Sequence, residues 1–137
     1  MKFFFDTNVL VYMFDASAPE KRRTARELFQ EHAESGDILL STQVLQEFYV
    51  TTTRKLAQPL QAAKAAQAVA TLAELPLVKV DSTLILAAIN RSQASKFSFW
   101  DSLVIQAALE GSASTLYSED MKHGQTFDGL TIVNPFL

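Results

Sequence analysis

The chain has 137 residues, 48% of them apolar and 20% charged, which is enough for one ordinary core and too short for two. A formal net charge of −3 offers no basic excess of the kind that marks many nucleic-acid binders. The absence of cysteine excludes thiol catalysis, thiolate zinc sites and disulfides together. The apolar run at the start is broken by Asp6 and Asn8, unlike a signal peptide, and nothing approaches the roughly 20 apolar residues of a membrane span. The expectation is therefore a single domain over residues 1–137, placed in the cytoplasm by default.

Lys2 to Phe5 reads as a buried strand that stops at the polar turn Asp6-Thr7-Asn8, followed by a short helix from Val9 to Phe14. Pro19 opens a helix to about Glu34, which Gly36 ends. Ile38 to Leu40 is a second buried strand, and Ser41 or Thr42 caps the next helix, which carries Val44, Leu45, Phe48 and Tyr49. Pro59 starts an alanine-rich helix to about Leu75, Leu77 to Val80 forms a third strand, and Asp81 caps a helix to Ala94. Ser98 to Leu109 is a further helix, Ser114 to Tyr117 a fourth strand and Leu130 to Val133 a fifth. Short buried strands alternating with helices predict an α/β fold with a mostly parallel sheet, whose sites lie outside the carboxyl ends of the strands.

That rule selects four acids. Taken singly, each has an ordinary explanation. Asp6 and Asp120 read as caps just past strand ends, and Asp101 as part of a capping box, Ser98-Phe99-Trp100-Asp101. Glu47 lies about 60° on the helical wheel from both Val44 and Val50, at the rim of an apolar stripe where a carboxylate is uncommon without a partner. Asp6, Asp120 and Glu47 all belong to the carboxyl edge of the sheet. Asp101 is ambiguous: its helix runs antiparallel to the strand it feeds, an arrangement expected to carry it to the opposite edge if the helix is long. Of the adjacent acids Glu119 and Asp120, only one is expected to point inward. The densest basic group, Lys21, Arg22, Arg23 and Arg26, reads as a solvated helix face.

Phe4-Phe5-Asp6-Thr7-Asn8-Val9-Leu10, Leu45-Gln46-Glu47-Phe48, Phe99-Trp100-Asp101-Ser102-Leu103 and Leu116-Tyr117-Ser118-Glu119-Asp120-Met121 resemble, in order and spacing, the four acidic motifs of the PIN-domain family. The resemblance runs through the ending Phe127 to Phe136, with Ser118 standing where the family often has threonine. It implies a five-stranded, mostly parallel sheet flanked by helices, and it implies that Asp101 joins the other three acids. It also implies that the inward-pointing acid of the adjacent pair is Asp120, which leaves Glu119 as a solvated loop acid. The implied activity is a Mg²⁺- or Mn²⁺-dependent endoribonuclease of the VapC-like toxin kind, with RNA as substrate, a small antitoxin protein as inhibitor, and a homodimer as the assembly. Asp6, Asp101 and Asp120 are then the metal ligands and Glu47 orients or deprotonates the attacking water. Thr7, Asn8 and Ser118 hold these carboxylates by hydrogen bonds.

The residue types suit that chemistry. Clustered carboxylates repel, and an oxygen-only ligand set suits a hard divalent ion, whereas two histidines, His32 and His123, supply a zinc site poorly. The four glycines make neither a phosphate-binding loop nor a dinucleotide fingerprint, and no glycine-flanked serine elbow is present. The alternatives are a PIN domain of RNA processing and an inert acidic module that binds nucleic acid or protein.

Overall fold

The computed structural model describes residues 1–137. Apolar runs too short for helices become the strands of one sheet: β1 (Lys2–Phe5), β2 (Ile38–Ser41), β3 (Leu77–Val78), β4 (Ala113–Tyr117), β5 (Thr126–Phe127) and β6 (Leu130–Val133). Their order is β3-β2-β1-β4-β6-β5, and every pairing is parallel except that of β5 with β6. Phe4 and Phe5 point to opposite faces of β1 and both are fully buried, so the sheet is covered on both sides, as parallel sheets are. Leu40, Leu116 and Ile132 extend this core through the neighbouring strands.

The helices are α1 (Thr7–Tyr12), α2 (Pro19–Ser35), α3 (Thr42–Arg54), α4 (Ala62–Leu72), α5 (Ser82–Ala94) and α6 (Phe99–Glu110). Their ends follow local chemistry. Ser41, Asp81 and Ser98 each accept a hydrogen bond from the amide three residues on, and Gly36 ends α2 in the left-handed conformation at φ 70°.

The first helix starts at Thr7 and ends at Tyr12, two residues earlier at each end than expected, because Asp6 caps it. Three further differences have a visible cause. The sheet has six strands rather than five, because Asp128 and Gly129, at φ 52° and 83°, make a tight two-residue turn that folds β5 back onto β6. The alanine-rich helix begins at Ala62, not at Pro59, since the Leu60 amide is spent on the Thr52 carbonyl (2.9 Å) and keeps the segment against the end of α3. β3 stops at Val78 because the Val80 amide leaves the ladder to donate to Thr42 Oγ1 at 3.0 Å.

The chain moves outward from β1 through β2 to β3, then returns to place β4 on the other side of β1. Strand order thus reverses between β1 and β4, the place where parallel sheets open a crevice. Asp6 follows β1 there, and Ser118 to Asp120 follow β4 beside it, joined by the bond from the Asp6 amide to the Tyr117 carbonyl at 3.0 Å.

Candidate active site

A cleft of about 650 Å³ opens at this reversal. It is lined by Asp6, Asp15, Glu47, Asp101, Glu119 and Asp120, with Lys55 as its one basic side chain. All four acids singled out in the sequence therefore face one space.

Asp101 reaches that space because its helix runs antiparallel to β4, the arrangement expected to carry it to the opposite edge. A helix that feeds a parallel strand descends from the carboxyl edge, so its first turn, not its last, lies at the site. Asp101 is the third residue of α6, and the helix ends at Glu110, beside the amino end of β4. Ser98 caps the helix by accepting from the Asp101 amide at 3.1 Å.

Asp6 is nearly sealed, at 5% exposure. Its Oδ1 accepts from the Thr7 amide at 2.8 Å, and its Oδ2 accepts from Ser118 Oγ at 2.8 Å and Asn8 Nδ2 at 3.3 Å. Burial nevertheless pushes its pKa up to about 7, against the opposing hydrogen bonds of Ser118 and Thr7 and with help from the charges of Glu47 and Asp120. Asp101 is also raised, first by burial and then by the charge of Asp120, with Glu47 adding to it and the Ser98 hydroxyl opposing it.

Glu47 is half-buried on α3 and held by Thr7, whose Oγ1 donates to Oε1 at 2.7 Å. Asn8 Nδ2 lies 3.1 Å from Asp120 Oδ2 and 3.4 Å from Ser118 Oγ, so one amide bridges the ends of β1 and β4. Thr7, Asn8 and Ser118 thus all bond to site carboxylates.

Two further features were not legible in the residue pattern. Gln43, buried at 5% exposure, donates from Nε2 to Glu47 Oε2 at 3.5 Å and to the Trp100 carbonyl at 3.4 Å, tying α3 to the first turn of α6. Its place four residues before Glu47 on one helix face was the available signal.

The second feature corrects the reading of Glu119. Both Glu119 and Asp120 line the cleft, and Glu119 is no solvated loop acid. Tyr12 donates to its Oε1 at 2.7 Å, Lys21 pairs with its Oε2, and its backbone amide donates to Asn8 Oδ1 at 3.0 Å. Burial would raise the Glu119 pKa, but the bonds from Lys21 and Tyr12 outweigh it and hold the carboxyl below its usual value. Lys21 also lies 4.9 Å from the centre of the Tyr12 ring. This pairing removes Lys21 from the solvated basic face. Arg26 leaves it too, donating from Nε to the Met13 carbonyl at 2.7 Å.

The two histidines stand outside the cleft. His32 is engaged by Asp37 (2.9 Å) and the Tyr117 hydroxyl (3.0 Å), and His123 by the Asn134 amide (3.0 Å). The donor set facing the cleft is thus oxygen-rich and imidazole-free, which fits a hard divalent cation. As the side chains stand, no three of these acids are grouped closely enough to hold an ion.

Comparison with known proteins places the fold. The family model described as PIN domain matches residues 3–126. Among solved structures, the chain is similar to Mycobacterium tuberculosis VapC20, a sarcin-ricin loop cleaving toxin, with a TM-score of 0.67 and 19% identity over 87% of this chain and 90% of that one. It is also similar to a toxin-antitoxin complex from Klebsiella pneumoniae (TM-score 0.70, 17% identity, 96% of each chain). A third is the DNA-bound VapBC of Salmonella typhimurium (TM-score 0.65, 16% identity, 96% of each chain). No curated protein matches by sequence. With the family model spanning nearly the whole chain and the sheet order set out above, the protein belongs to the PIN-domain family.

Proposed function

We propose that the protein is a divalent-metal-dependent endoribonuclease and the toxin component of a toxin–antitoxin pair. One observation carries the reading: Asp6, Glu47, Asp101 and Asp120, from four separate stretches of chain, line one cleft where strand order reverses. Asp6, Asp101 and Asp120 would hold a Mg²⁺ or Mn²⁺ ion, which supplies charge against the scissile phosphate and an acidified water.

The chain's own groups do the rest. Asp6 gives up the proton it retains up to about pH 7, and its carboxylate stays aimed by Thr7 and Ser118. Glu47 has one oxygen engaged by Thr7, leaving the other, which only Gln43 approaches, to accept a proton from the water that attacks the phosphodiester. Asn8 fixes Asp120 against Asp6 without adding another negative charge. Cleavage of RNA that appears with Mg²⁺ or Mn²⁺ and stops in chelator tests the enzyme.

The protein partners in this reading are a second copy of the chain and a small antitoxin, acting in the cytoplasm. An acidic cleft accepts an arginine or lysine from such an inhibitor as a substitute for the metal's charge. The likeness of the fold to chains from toxin–antitoxin complexes supports the pairing. Expression should arrest growth, and co-expression of the cognate small protein should relieve it. Arrest no greater than with Asp6→Asn removes the toxin role and leaves the nuclease.

One observation favours a second reading, an inert acidic binding module: no three of the acids converge on a common point as the ligands of an ion would. Metal-dependent cleavage separates the two.

A further inference from the structure

The cleft poses a problem for a polyanionic substrate. Six acids line it against a single lysine, so ionic contacts to the sugar–phosphate backbone are scarce even after a divalent ion is bound. Affinity has to come in part from uncharged surface.

Beside Asp101 at the mouth of this cleft stands Trp100, the chain's one tryptophan, with 62% of its surface exposed. An exposed tryptophan is unusual in a chain with so aromatic a core, and this one has an aromatic neighbour. Its ring is braced edge-on by Phe99 at 5.2 Å and 67°, and Phe99 itself packs against the core. Its backbone carbonyl is held by Gln43. The result is an aromatic plate on the first turn of α6, one residue from a site carboxylate, with most of its surface uncovered.

We infer that Trp100 is a stacking platform that positions an unpaired base next to the scissile phosphate. This rests on the nuclease reading above. Stacking supplies binding that the acids cannot repel, and every base offers a face to it, so the contact is tolerant of sequence. In a duplex the base faces are already covered by their neighbours, and splaying one out costs free energy. Fixing a base on Trp100 also fixes the adjoining phosphate over Asp101.

Because Trp100 is the sole tryptophan, its fluorescence reports on this position alone. Purified full-length protein in Mg²⁺ is titrated with a short single-stranded oligoadenylate whose phosphorothioate linkages slow hydrolysis. The same strand annealed to its complement, and the same backbone without bases, serve as controls. The expected result is saturable quenching by the single strand and little by either control. Steady-state cleavage of ordinary RNA should show KM raised about 10-fold or more in Trp100→Ala with a smaller change in kcat, and most of the loss recovered in Trp100→Phe. Cleavage that proceeds while quenching is absent, or is equal for duplex, overturns the stacking role and leaves the nuclease intact. Trp100 emission that shifts with protein concentration alone also overturns it, and assigns the ring to contact between copies. Absence of metal-dependent cleavage removes the nuclease reading and this inference with it.

Discussion

The Asp6 carboxyl has a pKa of about 7 in the folded chain against 3.8 for an ordinary aspartate. Between these values the native state binds the extra proton, so the stability of the metal-free protein falls as pH rises from 3.8 to about 7 and is level above. Asp6→Asn removes the buried charge. Without metal at about pH 8 its melting temperature should equal or exceed that of the wild type, while cleavage falls about 100-fold or more, beyond the range for groups that merely support a ligand. A variant that melts far lower at that pH would show that Asp6 is held by bonds worth more than its burial costs.

The neighbouring loop divides two acids by role. Asp120→Asn should lower metal-dependent cleavage about 10-fold or more. Glu119→Gln loosens the grip of Lys21 and Tyr12, and should reduce kcat by about a few-fold and stability by less than about 1 kcal/mol, since Lys21 is partly exposed. Damage by Glu119→Gln equal to that of Asp120→Asn would mean that Glu119 itself meets the substrate.

At the scale of elements, the packing of α6 on the sheet depends on a missing side chain. A Cβ on Gly111 would come within 2.2 Å of Leu39 Cδ2 and 3.1 Å of Val78 Cγ2, and Leu39 is itself buried in β2. Gly111→Ala should therefore cost about 1–3 kcal/mol, read from denaturant unfolding, while the folded fraction keeps its activity. A neutral result would show that Leu39 has room to turn away.

Elements with strong local signals were legible from residues alone: Pro19 and Gly36 bracket α2, and Ser41, Asp81 and Ser98 cap three helices. The α/β class followed from short apolar runs between helical stretches. What escaped were features decided by partners distant in the chain. Thr42 diverts Val80 from β3, Thr52 delays α4, and Lys21 meets Glu119 across 98 residues. The Asp128-Gly129 turn was a readable hairpin signal that the five-strand expectation passed over. Asp101 was readable too, once the direction of a helix feeding a parallel strand is followed correctly. Without that step, only the likeness to the family's motifs placed it with the other acids.

For the molecule as a whole, proton and metal should compete for the same cleft. A divalent ion that takes the place of the Asp6 proton binds more tightly as pH rises, so the thermal stabilisation by Mn²⁺ or Mg²⁺ should grow from about pH 5 to about pH 8. Stabilisation that is independent of pH would place the ion away from Asp6. Asp6→Asn should abolish most of the increment, because the charge that the ion neutralises is gone.

The central claim, that this carboxylate cleft cuts RNA through a divalent ion, is tested most directly by following an end-labelled RNA with purified protein. Wild type, Asp6→Asn and Asp101→Asn are compared in Mg²⁺, in Mn²⁺ and in excess chelator, with metal added back at the end. Wild type should cleave internally in either metal, not in chelator, and again on add-back, and both variants should lose cleavage despite native far-UV circular dichroism. Cleavage that persists in chelator, or that survives in folded Asp6→Asn and Asp101→Asn, would contradict the claim.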